Sequence, residues 1–293
     1  MGRYGSRVTP QKPLLIVDGD ALAHRAYHAL GPITAGNGQP ISLLQGTITM
    51  LVSAWDAFEP RAIAVAIDSR LPSYRNELWP AYQAQRAPFP DDLIVQLDAL
   101  PALISAFGIP ALRLDPWEAD DVCATLVALE EAAGGCSLVL THDRDAFQLA
   151  SAQTTVVRPL AGISETESVD PAGVFDRYGV TPAQVPDLIA LRGDPSDNLP
   201  GARGIGQKTA AGLLQRFGDL EGVIAHAGEL TPAKAAALSQ QADELRRFRQ
   251  IAVMRDDLPL TRPPDGEPDW SAGAAACAAA GSGRLAQRIA ARG

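Results

Sequence analysis

At 293 residues and 46% hydrophobic content, the chain can bury a sizeable core and has room for one large α/β domain or a main domain with a smaller one. A net charge of −9 argues against a uniformly basic nucleic-acid binder, although acids gathered at one site leave room for a locally basic surface elsewhere. No apolar run reaches membrane-span length, residues 1–13 lack the apolar middle of a signal peptide, and three cysteines without metal-ligand spacing (Cys123, Cys136, Cys277) argue against a disulfide framework, so a cytoplasmic protein is expected.

In chain order, the first element is Leu14-Leu15-Ile16-Val17-Asp18, a short apolar run that reads as a strand buried on both faces. Residues 22–30 read as helix, 31–38 as loop, 42–58 as a second helix, and Ile63 to Asp68 as a second strand. Residues 69–90 differ. Arg70, Arg75 and Arg86 interleave with Tyr74, Trp79, Tyr82 and Phe89, and four prolines interrupt the segment, which predicts an exposed, mobile excursion. An amphipathic helix follows at 91–107, with Leu93, Leu97, Leu100 and Ile104 on one face. A short strand at 111–114 leads to Asp115-Pro116, a predicted N-cap and first-turn proline. Strands are expected at 138–141 and 154–158 around a helix near 144–150. Residues 171–192 read as helix in two pieces. A glycine-rich segment, Gly193 to Gly206, precedes a helix at 207–217, and shorter helices complete a C-terminal helical part. The Pro-, Gly- and Ala-rich stretch from 263 onward predicts a loose tail, with a helical turn at 285–291.

The chemistry lies in the acids. Three apolar runs end in Asp18, Asp68 and Asp143, and ligands of an open α/β sheet bind beyond the carboxyl ends of its strands. Two unit charges ~4 Å apart interact by roughly 4 kcal/mol at an effective dielectric near 20, so such a crowd needs a partner. Glu118-Ala119-Asp120-Asp121 adds three more carboxylates. First-turn acids also suit a helix dipole, but helical spacing puts Glu118 and Asp121 near the buried face, with Asp120 pointing elsewhere. Asp145 follows Asp143 in Thr141-His142-Asp143-Arg144-Asp145, and Asp194 and Asp197 lie in a turn-like Gly193-Asp194-Pro195-Ser196-Asp197-Asn198. Each group alone reads as a turn or a cap. Together they point to a multi-carboxylate site for two or more Mg²⁺ or Mn²⁺ ions rather than zinc.

Gly204-Ile205-Gly206-Gln207-Lys208-Thr209 joins two helical segments. Read alone it is an interhelical turn. Beside a multi-carboxylate metal site it reads as a helix–hairpin–helix whose free amides hold a phosphate backbone. Arg25, Arg75 and Arg86 are further candidates for phosphate contacts, the last two within the aromatic-rich excursion.

As a set, and in order over residues 13–262, these motifs resemble the 5′-nuclease family: the N-terminal domain of bacterial DNA polymerase I, phage 5′-nucleases and flap endonucleases. They are Val17-Asp18-Gly19, Asp68 with Pro72-Ser73-Tyr74-Arg75, Glu118-Ala119-Asp120-Asp121, Thr141 to Asp145, Gly193-Asp194 with Ser196 to Gly201, and Gly204-Ile205-Gly206 with Lys208-Thr209-Ala210. The resemblance implies an α/β fold with a central parallel sheet flanked by helices, a helical arch, and a C-terminal helix–hairpin–helix region that takes a monovalent cation such as K⁺. It implies a first carboxylate group of Asp18, Asp68, Glu118 and Asp120 with Asp121 nearby, and a second of Asp143, Asp145, Asp194 and Asp197.

The implied layout is a nuclease core at 13–180 with its arch at 69–92, a DNA-binding region at 181–262 and the tail. Two positions depart from the family pattern. Gln83 stands where a lysine usually follows the arch tyrosine, here Tyr82. His24 stands where a tyrosine often stacks on a base. The reading is of a stand-alone, monomeric 5′→3′ exonuclease and flap endonuclease acting on DNA 5′ ends, without membrane association. A DNA-structure-binding protein with weak catalysis is the rival that Gln83 motivates, and a small RNA-cleaving nuclease is a third.

Overall fold

The computed structural model describes residues 11–292. In chain order the first half comprises β1 (Leu14–Asp18), α1 (Gly19–Leu30), α2 (Ser42–Phe58), β2 (Ala62–Ala66), α3 (Arg75–Leu78), α4 (Asp91–Ser105), β3 (Ala111–Leu112), α5 (Ala119–Ala132) and β4 (Ser137–Leu140). A 3₁₀ turn at Asp145–Leu149 leads to β5 (Thr154–Pro159), β6 (Thr166–Val169), α6 (Pro171–Tyr178), α7 (Val185–Arg192), α8 (Gln207–Phe217), α9 (Leu220–Ala225), α10 (Pro232–Ala252), α11 (Trp270–Ala279) and α12 (Gly283–Ala290).

The strands form one sheet in the order β3-β2-β1-β4-β5-β6. The first five are parallel, as the apolar runs predict. The sixth pairs antiparallel with β5, an edge strand that the polar sequence Thr166-Glu167-Ser168-Val169 does not announce. Alternate residues of β1 face opposite ways. Leu14 and Ile16 join a core with Val122 and Leu126 of α5 and Leu188 of α7. Leu15 and Val17 join another with Leu22 of α1, Ile48 of α2 and Leu97 of α4. Helices on both faces therefore leave only the sheet's ends open, and the strand order reverses at β1 and β4. That is where the carboxyl ends of neighbouring strands diverge and a crevice forms.

Three sequence expectations change. The segment from 263 onward is not a loose tail: α11 and α12 lie on the α2/α4 side, with Cys277 and Ile289 fully buried and Trp270 set edge-on against Trp55 and Phe107. Two of its glycines are small because they pack closely: a Cβ on Gly273 would fall 2.1 Å from the Phe107 ring, and one on Gly281 2.3 Å from Ala35. Arg61 ties down the approach to this pair, donating to the Pro263 carbonyl and to Asp265. Second, Asp115-Pro116 does not open a helix. It sits in a turn with a cis bond, and α5 starts three residues later because the Ala119 amide is taken by Asp68 and the Glu118 amide by Asp121. Third, the 69–90 segment is not simply an excursion. Arg75 is 3% and Tyr82 4% exposed, so its aromatic and cationic residues are partly core. No helix among the described residues is long and apolar enough to cross a membrane.

Candidate active site

The carboxyl ends of β1, β2 and β4 open into a cavity of about 660 Å³. Asp18, Asp68, Glu118, Asp120, Asp143 and Asp197 line it, with Asp20. Each position follows from local structure. Asp18 is the last residue of β1 and the N-cap of α1, where one carboxylate oxygen accepts from the Ala21 amide at 3.0 Å and the other from the Thr141 hydroxyl at 2.7 Å. The next residue must be glycine: a Cβ on Gly19 would fall 2.8 Å from the Ala66 carbonyl oxygen and 2.7 Å from Val65. Asp68 ends the β2 run and caps α5 through the Ala119 amide at 2.7 Å. Asp143 follows β4 and accepts from the Asp145 amide at 2.8 Å. Asp194 accepts from the Ser196 amide at 2.8 Å in a loop pinched shut by Gly193 and Gly201. Both glycines have left-handed backbone, and a Cβ on either would strike main chain, at 2.6 Å from Leu199 O or 2.3 Å from Gly193 N.

Burial dominates the electrostatics. It lifts Asp18 to about 7 and Asp197 to about 6, and raises Asp68, Asp120, Asp143 and Asp145 as well, with neighbouring aspartates adding to the effect. Against eight lining acids, Asp98 among them, the cavity offers, among the described residues, only Arg70 and Arg86 as permanent cations. Among the described residues no three of these groups already converge on one point as a finished metal cage. The donor set is nonetheless all carboxylate, crowded, desolvated and short of counter-charge, which is what a hard, oxygen-seeking divalent cation would relieve.

The remaining expected residues divide. Asp145 and Asp194 flank the cavity on the Asp143 and Asp197 side without lining it. Asp194 lies 3.7 Å from Arg192, and Asp145 feels Asp143, Asp194 and Asp197. Asp121 is a correction: its carboxylate is fully buried, forms a two-pronged pair with Arg75 at 2.7 and 2.8 Å, and accepts from the Arg255 amide. Asp120, which an ideal helix would aim elsewhere, is the member of that pair that lines the cavity, because α5 begins at Ala119. Arg75 is likewise corrected. It is spent on Asp121, Glu118 and the Ile251 carbonyl and offers nothing to a phosphate. Arg25 donates to the Leu160 carbonyl and does not line the cavity.

Arg86 does line it, half exposed, 3.0 Å from Asp197. Tyr82 is buried, and its hydroxyl donates to Glu118 at 3.1 Å. Gln83, expected to face a phosphate, instead donates its amide to Asp197 at 3.0 Å. His24 lines the cavity with its ring 4.8 Å from that of Phe89. Gly204, at φ 76°, and Gly206 shape the turn into α8. Ile205 is buried beneath it, while Gly206 and Lys208 are exposed and Thr209 is half-buried.

Sequence reasoning missed Asp20 and Arg70. Asp20 is 4% exposed, accepts from the Asp68 amide at 2.8 Å and pairs with Arg70 at 2.9 Å, so it braces two strand ends. Its place two residues after Asp18 was the available signal.

Comparison with known proteins agrees with this geometry. The family model for the 5′-3′ exonuclease N-terminal resolvase-like domain matches residues 13–179, and that for the 5′-3′ exonuclease C-terminal SAM fold matches residues 180–267. Thermostable DNA polymerase I of Thermus aquaticus is 38% identical over 251 residues, covering 86% of this chain and 29% of the relative. DNA polymerase I of Mycobacterium leprae (strain TN) is 38% identical over 257 residues, covering 87% and 28%. The chain thus spans less than a third of the length of these relatives. Among solved structures, T5 5′-exonuclease with bound zinc superposes with a TM-score of 0.70 at 20% identity, covering 96% of this chain and 98% of the other. The catalytic core of Rad2 in complex with DNA substrate gives 0.62 at 18%, covering 95% and 91%. At those identities the likeness is one of fold.

Proposed function

Because the chain belongs to the 5′-3′ exonuclease family, we propose that it hydrolyses DNA phosphodiesters as a divalent-metal-dependent 5′→3′ exonuclease and structure-selective flap endonuclease, in replication or repair. The observation that carries this reading is the ring of desolvated carboxylates at the carboxyl end of the sheet. Asp18, Asp68, Glu118 and Asp120 would hold one Mg²⁺ or Mn²⁺ ion, and Asp143, Asp145, Asp194 and Asp197 a second. Such ions supply an activated water and stabilise the leaving 3′-oxygen.

The chain's own residues do the rest. Asp20 and Thr141 keep Asp68 and Asp18 in place. Arg86, with its guanidinium half exposed at the cavity, offsets phosphate charge. The His24 and Phe89 rings offer apolar faces to an unpaired base. The Gly204–Thr209 turn, with the exposed Lys208, grips duplex backbone without reading sequence, and the family resemblance extends to a monovalent cation such as K⁺ there. The protein would act as a cytoplasmic monomer on DNA with 5′ ends or flaps.

The test is a 5′-labelled DNA flap incubated with Mg²⁺, Mn²⁺ or chelator, beside a matched RNA flap. Metal-dependent release of short 5′ products from DNA is expected, and cleavage that persists in chelator, or of RNA alone, would overturn the reading. A second reading, a flap-binding protein with weak catalysis, draws on Gln83, whose amide turns to Asp197 rather than to substrate. Tight flap binding without turnover in either metal would favour it.

A further inference from the structure

Consecutive residues Tyr82 and Gln83 each donate to a carboxylate, one in each of the two acidic groups. The Tyr82 hydroxyl reaches Glu118 at 3.1 Å, and the Gln83 amide reaches Asp197 Oδ1 at 3.0 Å. The segment that carries them is stitched to the 194–199 loop. The Gln83 backbone N–H donates to the Asp197 carbonyl at 3.2 Å, Asn198 Nδ2 to the Ala81 carbonyl at 2.7 Å, Trp79 Nε1 to the Asn198 carbonyl at 3.1 Å, and Gln85 to the Pro195 carbonyl at 2.6 Å. Gln83 and Asn198 have φ of 54° and 58°, a left-handed conformation rare for residues other than glycine. Such backbone persists where surrounding contacts over-determine it, and here two such residues lie on the two sides of one hydrogen-bonded seam.

Asp197 is therefore held from the arch side. Arg86 Nη2 shares Oδ1 with Gln83, also at 3.0 Å, and among the described residues no protein donor meets Oδ2. A neutral amide fixes the carboxylate without adding a second positive charge beside that of Arg86. A lysine ammonium at the same place would pair with Asp197 and compete with a cation.

We propose that Gln83 is a positioning residue that aims Asp197 at the cation of the second carboxylate group and, with Tyr82, makes metal binding there depend on the docked arch. The inference rests on the two-metal reading above. It also changes the sense of the glutamine: in this chain the position serves the acids rather than the phosphate.

The experiment is Mn²⁺ titration of the full chain freed of metal, read by electron paramagnetic resonance and calorimetry, for the wild type and for Gln83→Met, Gln83→Lys and Asp197→Asn. Two classes of bound Mn²⁺ are expected, one of them lost in Asp197→Asn. Outer contacts to metal ligands typically change affinity about tenfold or more. Gln83→Met should weaken that same class by about tenfold and leave the other unchanged, with flap turnover recovering at high Mn²⁺. Gln83→Lys should weaken it at least as much. If Gln83→Met melts early in chelator, Gln83→Lys, which keeps a donor, carries the test. Wild-type isotherms in both Gln83 variants would overturn the positioning role alone. A wild type that binds no second ion would overturn the two-metal reading and the role with it.

Discussion

The two carboxylate groups proposed to hold metal are built by different means. Asp18, Asp68, Glu118 and Asp120 sit at the ends of β1 and β2 and at the start of α5, and the helix-starting amides of Ala21 and Ala119 hold Asp18 and Asp68. Asp143, Asp194 and Asp197 sit in loops, and Asp145 opens the 3₁₀ turn after β4. Short-range turns hold Asp143 and Asp194, and a partner more than a hundred residues away in sequence holds Asp197. The first group is placed by the sheet and cannot move without it. In the second, Asp197 is placed by a clamp between the arch and the 194–199 loop, so its geometry can respond to what the arch does.

The sharpest way to break this contrast is to remove one ligand from each side. Asp120→Ala should lower flap turnover by about three orders of magnitude, roughly 4 kcal/mol of barrier, and high Mn²⁺ should not restore it, since no loop can bring in a substitute. Asp143→Ala should fall by a similar factor at low metal but recover in part at high Mn²⁺. Single-turnover rates across a metal series decide the matter, and near-normal cleavage by both variants would sink the two-group reading.

Asp121 tests the boundary of the first group from the other direction. It stands beside Asp120 in sequence, yet its partners are Arg75 and two backbone amides. Breaking a fully buried pair leaves an uncompensated charge, at a cost of about 3 kcal/mol or more. Asp121→Ala should therefore lose stability by that amount in chemical denaturation with chelator present, while keeping the wild-type number of bound Mn²⁺ ions. Loss of an ion without loss of stability would return Asp121 to the ligand set.

What could be read beforehand follows the same division. Apolar runs ending in Asp18 and Asp68 announce both the strand and the position of its acid, because a parallel strand's carboxyl end is fixed once the strand is. Helical spacing foretold the burial of Asp121, but neither its partner Arg75 nor the turn of Asp120 into the cavity was legible. A helix register that starts three residues after Asp115-Pro116 depends on the Asp68 carboxylate taking the Ala119 amide, a contact 51 residues apart. The Gln83–Asp197 contact spans 114 residues and the Arg75–Asp121 pair 46, so nothing local marks Gln83 as a carboxylate donor or Arg75 as core. Composition misled at the C-terminus for a related reason. A glycine that packs tightly against Phe107, as Gly273 does, looks in a list of letters like one that packs against nothing.

The electrostatic side of the contrast is measurable without substrate. Asp18 titrates near 7, far above the 3.8 of an unperturbed carboxyl, and burial raises Asp68 and Asp120 well above that value too. For an acid whose folded pKa is raised, the native state binds more protons than the unfolded chain between the two values, so stability falls as pH rises through that window. His142, lowered to about 4 by burial, acts in the opposite sense, but only below its ordinary 6.5. From about pH 6.5 to 8 the acids therefore dominate. The chelated protein should melt progressively lower over that range, and Mg²⁺ should raise the melting temperature more at pH 8 than at pH 6. A flat profile in chelator would mean the acids carry no unmet charge.

The smallest expected effect lies outside both groups, in the turn before α8. Gly206 is the N-cap of that helix and makes no side-chain cap bond, so the first amides of α8 remain available to an anion. A Cβ at Gly206 would meet nothing within 4 Å, and its backbone is extended, at φ −90° and ψ 178°. Valine there should fold normally and simply stand over the amides, while Lys208→Ala removes one exposed cation. The double variant Gly206→Val/Lys208→Ala should weaken duplex binding several-fold and reduce the slope of log affinity against log salt by about one, the signature of one lost phosphate contact. The loss should be the same for unrelated sequences, because backbone contacts carry no sequence information. Single-turnover cleavage at saturating enzyme should stay near wild type, since neither residue touches the carboxylates. A loss that varied with sequence, or an unchanged salt slope, would remove the turn from the binding surface and leave the arch and the cavity to hold the substrate alone.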